Sequence, residues 1–200
     1  AAAATGRSIM QPPVPAWLLK SLGAWGDAAA RLHAAHARVA LGHYGEAALL
    51  VRRAIRAGAT PVAVGDHSDR PGDATHILRA FESAGIEKVL YGTITDPSAL
   101  EALAESGAQV GDAFDMEIGG FTPSGGTPTR ISGTLSYFDE GFSYDRVAVV
   151  EIGNGNAVII VPANEQVTEP RRFSFLPLGL EDCDVFGVKS RGHFRGGVVE

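Results

Sequence analysis

Two short stretches of the chain gather the side-chain types that binding and catalysis need. The first is GDHSDRPGDAT at residues 65–75, which follows the apolar run PVAV and leads into a helix-forming segment. It brings Asp66, Asp69, Arg70, Gly72, Asp73 and Thr75 to the carboxyl end of what the pattern makes a strand. Ligands of open α/β sheets collect at such ends, where the next helix turns its unpaired N–H groups and positive pole toward the loop. Gly72 lets the backbone approach a ligand closely, and Thr75 offers a hydroxyl for the first helical turn. The same residues also have an ordinary reading, with Asp73 as an N-cap and Asp66 or Asp69 as turn formers.

The second stretch is VKSRGHFRGG at 188–197, directly after the final apolar run. Lys189 is a point charge and Arg191 and Arg195 are planar forks, a set suited to holding a carboxylate. Ser190 adds a hydroxyl, and His193 brings an imidazole, a group whose unperturbed pKa lies near neutrality and which can move protons. The plain alternative is a frayed basic tail, against which Phe194 and the flanking glycines argue for an anchored, tight path. A weaker third stretch, ANEQVTEPRRF at 163–173, sets Asn164, Gln166 and Thr168 beside Arg171 and Arg172 after another apolar run. It would line the same sheet edge.

The elements that must position these residues are readable in outline. Residues 11–17 are Pro-rich and extended. Helices are expected over 27–41, capped by Asp27 and stopped by Gly42, and over 45–58, with Ala48, Val51, Ala54 and Ile55 on one stripe. His33 and His36 share a face of the former, and packing or surface roles suit them better than metal. Then strand 61–64, helix 74–85, strand 88–94 and helix 96–107 alternate as a βαβ unit does, the last helix with Asp96 as N-cap, Pro97 at N1 and Gly107 beyond its end. Strand-like runs broken by TPSGGTP, DEG and NGN follow, so antiparallel hairpins succeed the parallel section. One or two helical turns are expected around 169–179, before a last strand at DVFGV. The fold class is therefore α/β, with a βαβ parallel section, antiparallel hairpins and an N-terminal helical extension.

Composition bounds the function. With 45% hydrophobic residues the chain can build a core, and 17 basic against 23 acidic residues give a charge of −6 without any basic block. Nucleic acid and anionic membranes are therefore poor partners. The single Cys183 excludes an internal disulfide and a thiolate metal cluster. No apolar run approaches the roughly 20 residues of a membrane span. The start, AAAATGRSIM, lacks an initiator Met and a signal-type apolar core and reads like the interior of a longer chain or a processed product; a cytoplasmic location is expected. No G-x-S-x-G, H-E-x-x-H or Walker A pattern is present, and the glycines at 119–126 sit in a hairpin context rather than a nucleotide fingerprint.

Taken together, these stretches resemble the C-terminal domain of the MlrC-like (microcystin-degradation protein) metallopeptidase family. VGDHSDRPGDATHILRAFESAGI is similar to its opening Asp-x-x-Asp-x-Pro-Gly loop and helix. ITDPSALEALAESGAQVGDAFDMEIGG is similar to the next helix and strand, GTPTRISGTLSYFDEGF to its hairpin, and GVKSRGHFRGG to its closing motif. Order and approximate spacing agree over residues 46–200. The loop departs from the commoner Asp-Asn-Pro-Gly-Gly form, with Arg70 in the Asn position and Asp73 after Gly72.

The resemblance implies the substrate-side part of a zinc-dependent hydrolase of peptide or amide bonds in small or linear peptides. It also implies a partner, an N-terminal domain or subunit bearing Asp-x-His and a second His motif. Residues 1–45 are too short to be that domain and would be its tail or a helical lead-in to the domain at 46–200. Zinc hydrolysis needs three protein ligands and a metal-bound water, and an Asp66/His67/Asp69/His193 set matches this poorly. Zinc is thus expected in the complete enzyme rather than in this chain, which alone would be inactive. His193 and Lys189 become the catalytic candidates. Asp66, Asp69, Arg70, Gly72, Asp73, Thr75, Ser190 and Arg195 become the substrate-binding candidates. An alternative from another class is a non-catalytic domain that holds a small anionic ligand through the 66–75 loop and the 189–195 tail. The sequence leaves room for a homo-oligomer.

Overall fold

The computed structural model describes residues 34–35, 37–66, 72–164, 173–176 and 182–189. Among these residues, three helices with defined bounds and seven strands follow in chain order. Residues 34–35 and 37–40 are helical ahead of α1 (Tyr44–Arg56). Then come β1 (Val62–Asp66), α2 (His76–Ser83), β2 (Val89–Thr95), α3 (Pro97–Glu105), β3 (Ala113–Ile118), β4 (Thr129–Gly141), β5 (Tyr144–Gly153), β6 (Asn156–Val161) and β7 (Val185–Lys189).

Each helix forms where helical spacing gives it an apolar stripe. α1 buries Ala47, Ala48, Val51 and Ala54, and α2 buries Ile77, Leu78 and Phe81. α3 begins as the sequence dictates. The Asp96 carboxylate accepts the Ala99 N–H at 2.9 Å, Pro97 occupies the first turn, and Gly107 follows the end with φ +69°. The helices are shorter by a few residues than expected, because their ends run into caps and turns.

The strands form one mixed seven-stranded sheet in the order β1-β7-β2-β6-β5-β4-β3. The first four run parallel, and β6 to β3 pair antiparallel in succession. The parallel section followed by hairpins is therefore as the sequence reads. The placement of β7 is not. The last strand lies between β1 and β2, so the two strands of the βαβ unit are parallel but separated. β6 and β7 are buried throughout, as strands covered on both faces must be.

Alternation along the strands divides the core. Ala148, Val150, Val158 and Ile160 face the helices, with Phe81, Leu100 and Phe114. Val147, Val149, Ile159 and Val161 face the opposite side, with Phe173, Cys183 and Phe186. The β3–β4 end of the sheet lies over α2, since Phe114, Ile118, Ile131 and Leu135 belong to the same cluster as Ile77, Leu78 and Phe81. Among the described residues no helix is long and apolar enough to cross a membrane.

One buried amide joins the amino ends of β2 and β6. Asn156, 1% exposed, accepts the Val89 N–H at 2.8 Å and donates to the Ile86 carbonyl at 3.1 Å and Glu82 Oε1 at 2.7 Å. The Tyr91 hydroxyl donates to the same Glu82 oxygen at 2.9 Å, and burial with this carboxylate pushes the phenol pKa far up, so it stays a neutral donor. Replacing Asn156 with Leu strands a buried N–H and a buried carbonyl. Urea unfolding should register a loss of about 3 kcal/mol; an unchanged midpoint would mean that water replaces the amide.

Candidate functional site

Parallel strands end on one side of a sheet, and here the ends of β1, β7, β2 and β6 are Asp66, Lys189, Thr95 and Val161. The three chemistry-bearing stretches of the sequence leave from this edge, after β1, β6 and β7. Register brings the first two together, with Asp66 the direct partner of Lys189 in the β1–β7 ladder. Lys189 Nζ donates to Asp66 Oδ2 at 2.7 Å and to the Ala74 carbonyl at 2.9 Å. The two side chains are only 7% and 5% exposed. Removing such charges from water costs about as much as their attraction returns, so the pair is better understood as a fixed register point than as net stability. It ties the end of β1, the end of β7 and the approach to α2 to one atom. Beside it, walled by Ala74, Ile77 and Ile94, is a cavity with room for about one water molecule.

Gly72 stands where the sequence anticipates close backbone approach. Its φ is +83°, and a Cβ there would come within 2.6 Å of Thr95 Oγ1 and 2.9 Å of Asn164 Oδ1. The Thr95 N–H donates to the Gly72 carbonyl at 3.0 Å, which holds this loop against the end of β2.

Asp73 and Thr75 do something the sequence does not disclose. The N-cap of α2 is Thr75, whose side chain makes no capping hydrogen bond. Asp73, 2% exposed, instead receives the Phe121 and Thr122 N–H groups at Oδ2, both at 2.7 Å, and the Thr122 hydroxyl at Oδ1, at 2.8 Å. Its backbone carbonyl accepts the Gly120 N–H at 2.7 Å. Thr75, fully buried, donates its N–H to the Gly125 carbonyl at 3.1 Å and its hydroxyl to the Thr127 carbonyl at 2.8 Å. Asp96 completes the seam by accepting the Gly119 N–H at 3.0 Å. His76, the first residue of α2, has Nε2 3.1 Å from the Ser124 carbonyl and stacks on Tyr44 with ring centroids 4.6 Å apart.

The loop at 119–127, read from sequence as an ordinary hairpin connection, is therefore part of the same edge. Its glycines carried the signal. A Cβ at Gly119 would lie 2.5 Å from the Asp73 carbonyl oxygen, and one at Gly125 would lie 2.5 Å from Asp73 Oδ2. Glycine doublets that do not match a hairpin turn type mark a backbone pressed against something else.

Among the described residues no group of three His, Cys, Asp or Glu side chains could hold a metal ion. The reason is visible in the carboxylates: Asp66 faces an ammonium, and Asp73 and Asp96 are taken up by backbone N–H groups. A zinc ion does not fit these residues. His67, Asp69, Arg70, Ser190, Arg191, His193 and Arg195 lie outside the described residues, as do Gln166, Thr168, Arg171, Arg172, His33 and His36.

Two substitutions test this edge. Lys189→Met leaves the Asp66 carboxylate buried without its cation and should cost about 3–5 kcal/mol in urea unfolding. Adding Asp66→Asn should restore much of that loss; no recovery in the double variant would mean that the two charges are not coupled. Asp73→Ala should accelerate amide hydrogen exchange at Phe121 and Thr122 by at least tenfold while the exchange of β6 stays unchanged. Equal protection in both proteins would mean that Asp73 does not hold the loop.

The family described as MlrC C-terminus matches residues 64–199. A search of curated proteins gave no match. Among solved structures, the chain is similar to a protein of Mesorhizobium sp. BNC1 provisionally named a metallopeptidase, with a TM-score of 0.60 and 19% sequence identity. The similarity covers 74% of this chain and 34% of that one, so the chain spans about a third of that protein's length. At this identity the likeness concerns the fold. The match over residues 64–199 takes in the opening loop, the hairpins and the closing Lys189 segment in one continuous span, and on that ground the chain belongs to the MlrC C-terminus family.

Proposed function

We propose that this chain is the substrate-side domain of a metal-dependent hydrolase of peptide or amide bonds, whose metal ligands belong to an N-terminal domain or subunit. One observation carries the reading: the loop after β1 and the segment after β7 start from the same buried ion pair, Asp66–Lys189, at the carboxyl edge of a parallel sheet. The family match supports it, as does the similarity to a protein named a metallopeptidase. Zinc is the metal that the family resemblance implies, and its donors would lie outside the described residues.

In this reading Lys189 acts by position. Its ammonium is committed to Asp66 and Ala74, so it anchors the segment that continues into Ser190, His193 and Arg195. Arg195 would then grip a substrate carboxylate as a planar fork, and His193 would exchange a proton with the reacting group. Asp69 and Arg70 would face the substrate from the opposite loop, with Ser190 adding a hydroxyl contact. Asp66, Gly72, Asp73 and Thr75 would hold that loop in shape.

The test uses the full-length enzyme and a linear peptide substrate. His193→Ala should lower kcat by at least a hundredfold with an unchanged urea midpoint, as loss of a general acid or base does. Wild-type turnover in that variant would remove His193 from the mechanism. Elemental analysis of the dialysed 200-residue chain should find far less than one zinc per molecule, whereas stoichiometric zinc would move the metal centre into this chain.

A further inference from the structure

The geometry points to the 119–122 loop, through the exposed ring of Phe121, as an apolar side-chain subsite for the substrate. This rests on the peptide or amide hydrolase reading above and names the class of side chain that the site would prefer, one that is branched or aromatic and apolar.

Single exposed hydrophobic residues are ordinary on protein surfaces, and Leu41 at 63% and Val110 at 62% exposure belong to that background. Phe121, at 57%, differs in how it is held. Its own N–H and the next one both end on the buried Asp73 carboxylate, and the preceding N–H ends on the Asp73 carbonyl. Three successive backbone donors fixed to one residue leave the loop little freedom, so the ring is presented from a nearly rigid backbone. Presentation of this kind lowers the ordering cost of binding and is what a recognition contact needs.

The place is also specific. Asp73 sits next to Gly72, whose backbone lies against Thr95 at the end of β2, and the adjacent Gly119 N–H bonds to Asp96 just beyond that strand. The loop thus borders the carboxyl edge from which the segments after β1 and β7 depart. A peptide lying across that edge would meet the ring of Phe121, while in the reading above the segments after β1 and β7 would supply charge and proton transfer. Most ligand sites combine these two elements, apolar contact for affinity and a few polar groups for orientation.

The experiment is a titration of the 200-residue protein with N-acetyl-leucinamide and N-acetyl-glycinamide, followed through backbone amide resonances. The leucinamide should shift Phe121 and Thr122, and the glycinamide should bind about tenfold more weakly, as the loss of an apolar side-chain contact predicts. Phe121→Ala should remove that preference, and Phe121→Leu should largely retain it; both keep the Asp73 backbone bonds. Equal binding of the two probes, shifts confined to other residues, or a preference untouched by Phe121→Ala would each overturn the subsite. Peptide turnover by the full-length enzyme separates the two ideas. A Phe121→Ala enzyme that keeps its preference among hydrolysed peptides sinks the subsite alone. Leucinamide binding at Phe121 without any amide hydrolysis sinks the hydrolase reading and leaves the subsite standing.

Discussion

An ammonium taken out of water needs a countercharge at close range, and Lys189 finds one in Asp66 only because β7 runs between β1 and β2. That insertion organises the candidate site. It places β7 beside β1, turns two segments more than a hundred residues apart into neighbours, and gives both a common origin. A hydrophobic pair at the same position could be as stable, since buried ion pairs offset little more than their own desolvation. What the ion pair adds is register. A one-residue slip of β7 would carry Lys189 away from Asp66 and leave both charges buried apart, a far more expensive arrangement than slippage of two valines.

The second constraint is the demand of loop backbone for hydrogen-bond partners. The 119–127 loop crosses the end of the sheet without strand neighbours, so its N–H groups must be satisfied otherwise. Asp73 and Asp96 supply the acceptors, and Thr75 donates to the Gly125 and Thr127 carbonyls on the far side of the loop. Carboxylates used in this way are scaffold, and they make poor metal ligands because their lone pairs already face N–H groups. The acidic density that draws attention to residues 66–73 is thus divided. Asp66 fixes a strand and Asp73 fixes a loop. This division bears on the proposed mechanism, in which the groups that touch substrate come from the segments that these acids hold in place.

Much of the architecture was legible in advance. Helical spacing of small apolar residues located α1, and Asp96, Pro97 and Gly107 framed α3 because capping is a local matter of orphan N–H and C=O groups. The change from alternating strands and helices to closely spaced strands announced the hairpins. Asp66 and Lys189 were singled out from their positions after apolar runs, and those positions prove to be partners in one ladder. The role of Asp73 was not legible, since an aspartate three residues ahead of a helix looks like a cap whatever it binds. The 119–127 loop reads locally as a hairpin connection, and its glycine doublets do not name the partner they press against.

The sequence by itself determined the α/β class, the order of the elements, which residues could carry charge to a strand end, and the family resemblance. Those properties depend on local propensity, on periodicity and on residue type, all of which are written along the chain. Tertiary structure alone decided that β7 enters between β1 and β2, that Lys189 is buried against Asp66, and that Asp73 reaches the 119–122 loop. Each of these is a pairing between residues distant in sequence, and the chain carries no local mark of which partner wins. The choice is made when the whole core packs, because only then do burial and hydrogen bonding select one register among the many that the apolar strands would allow.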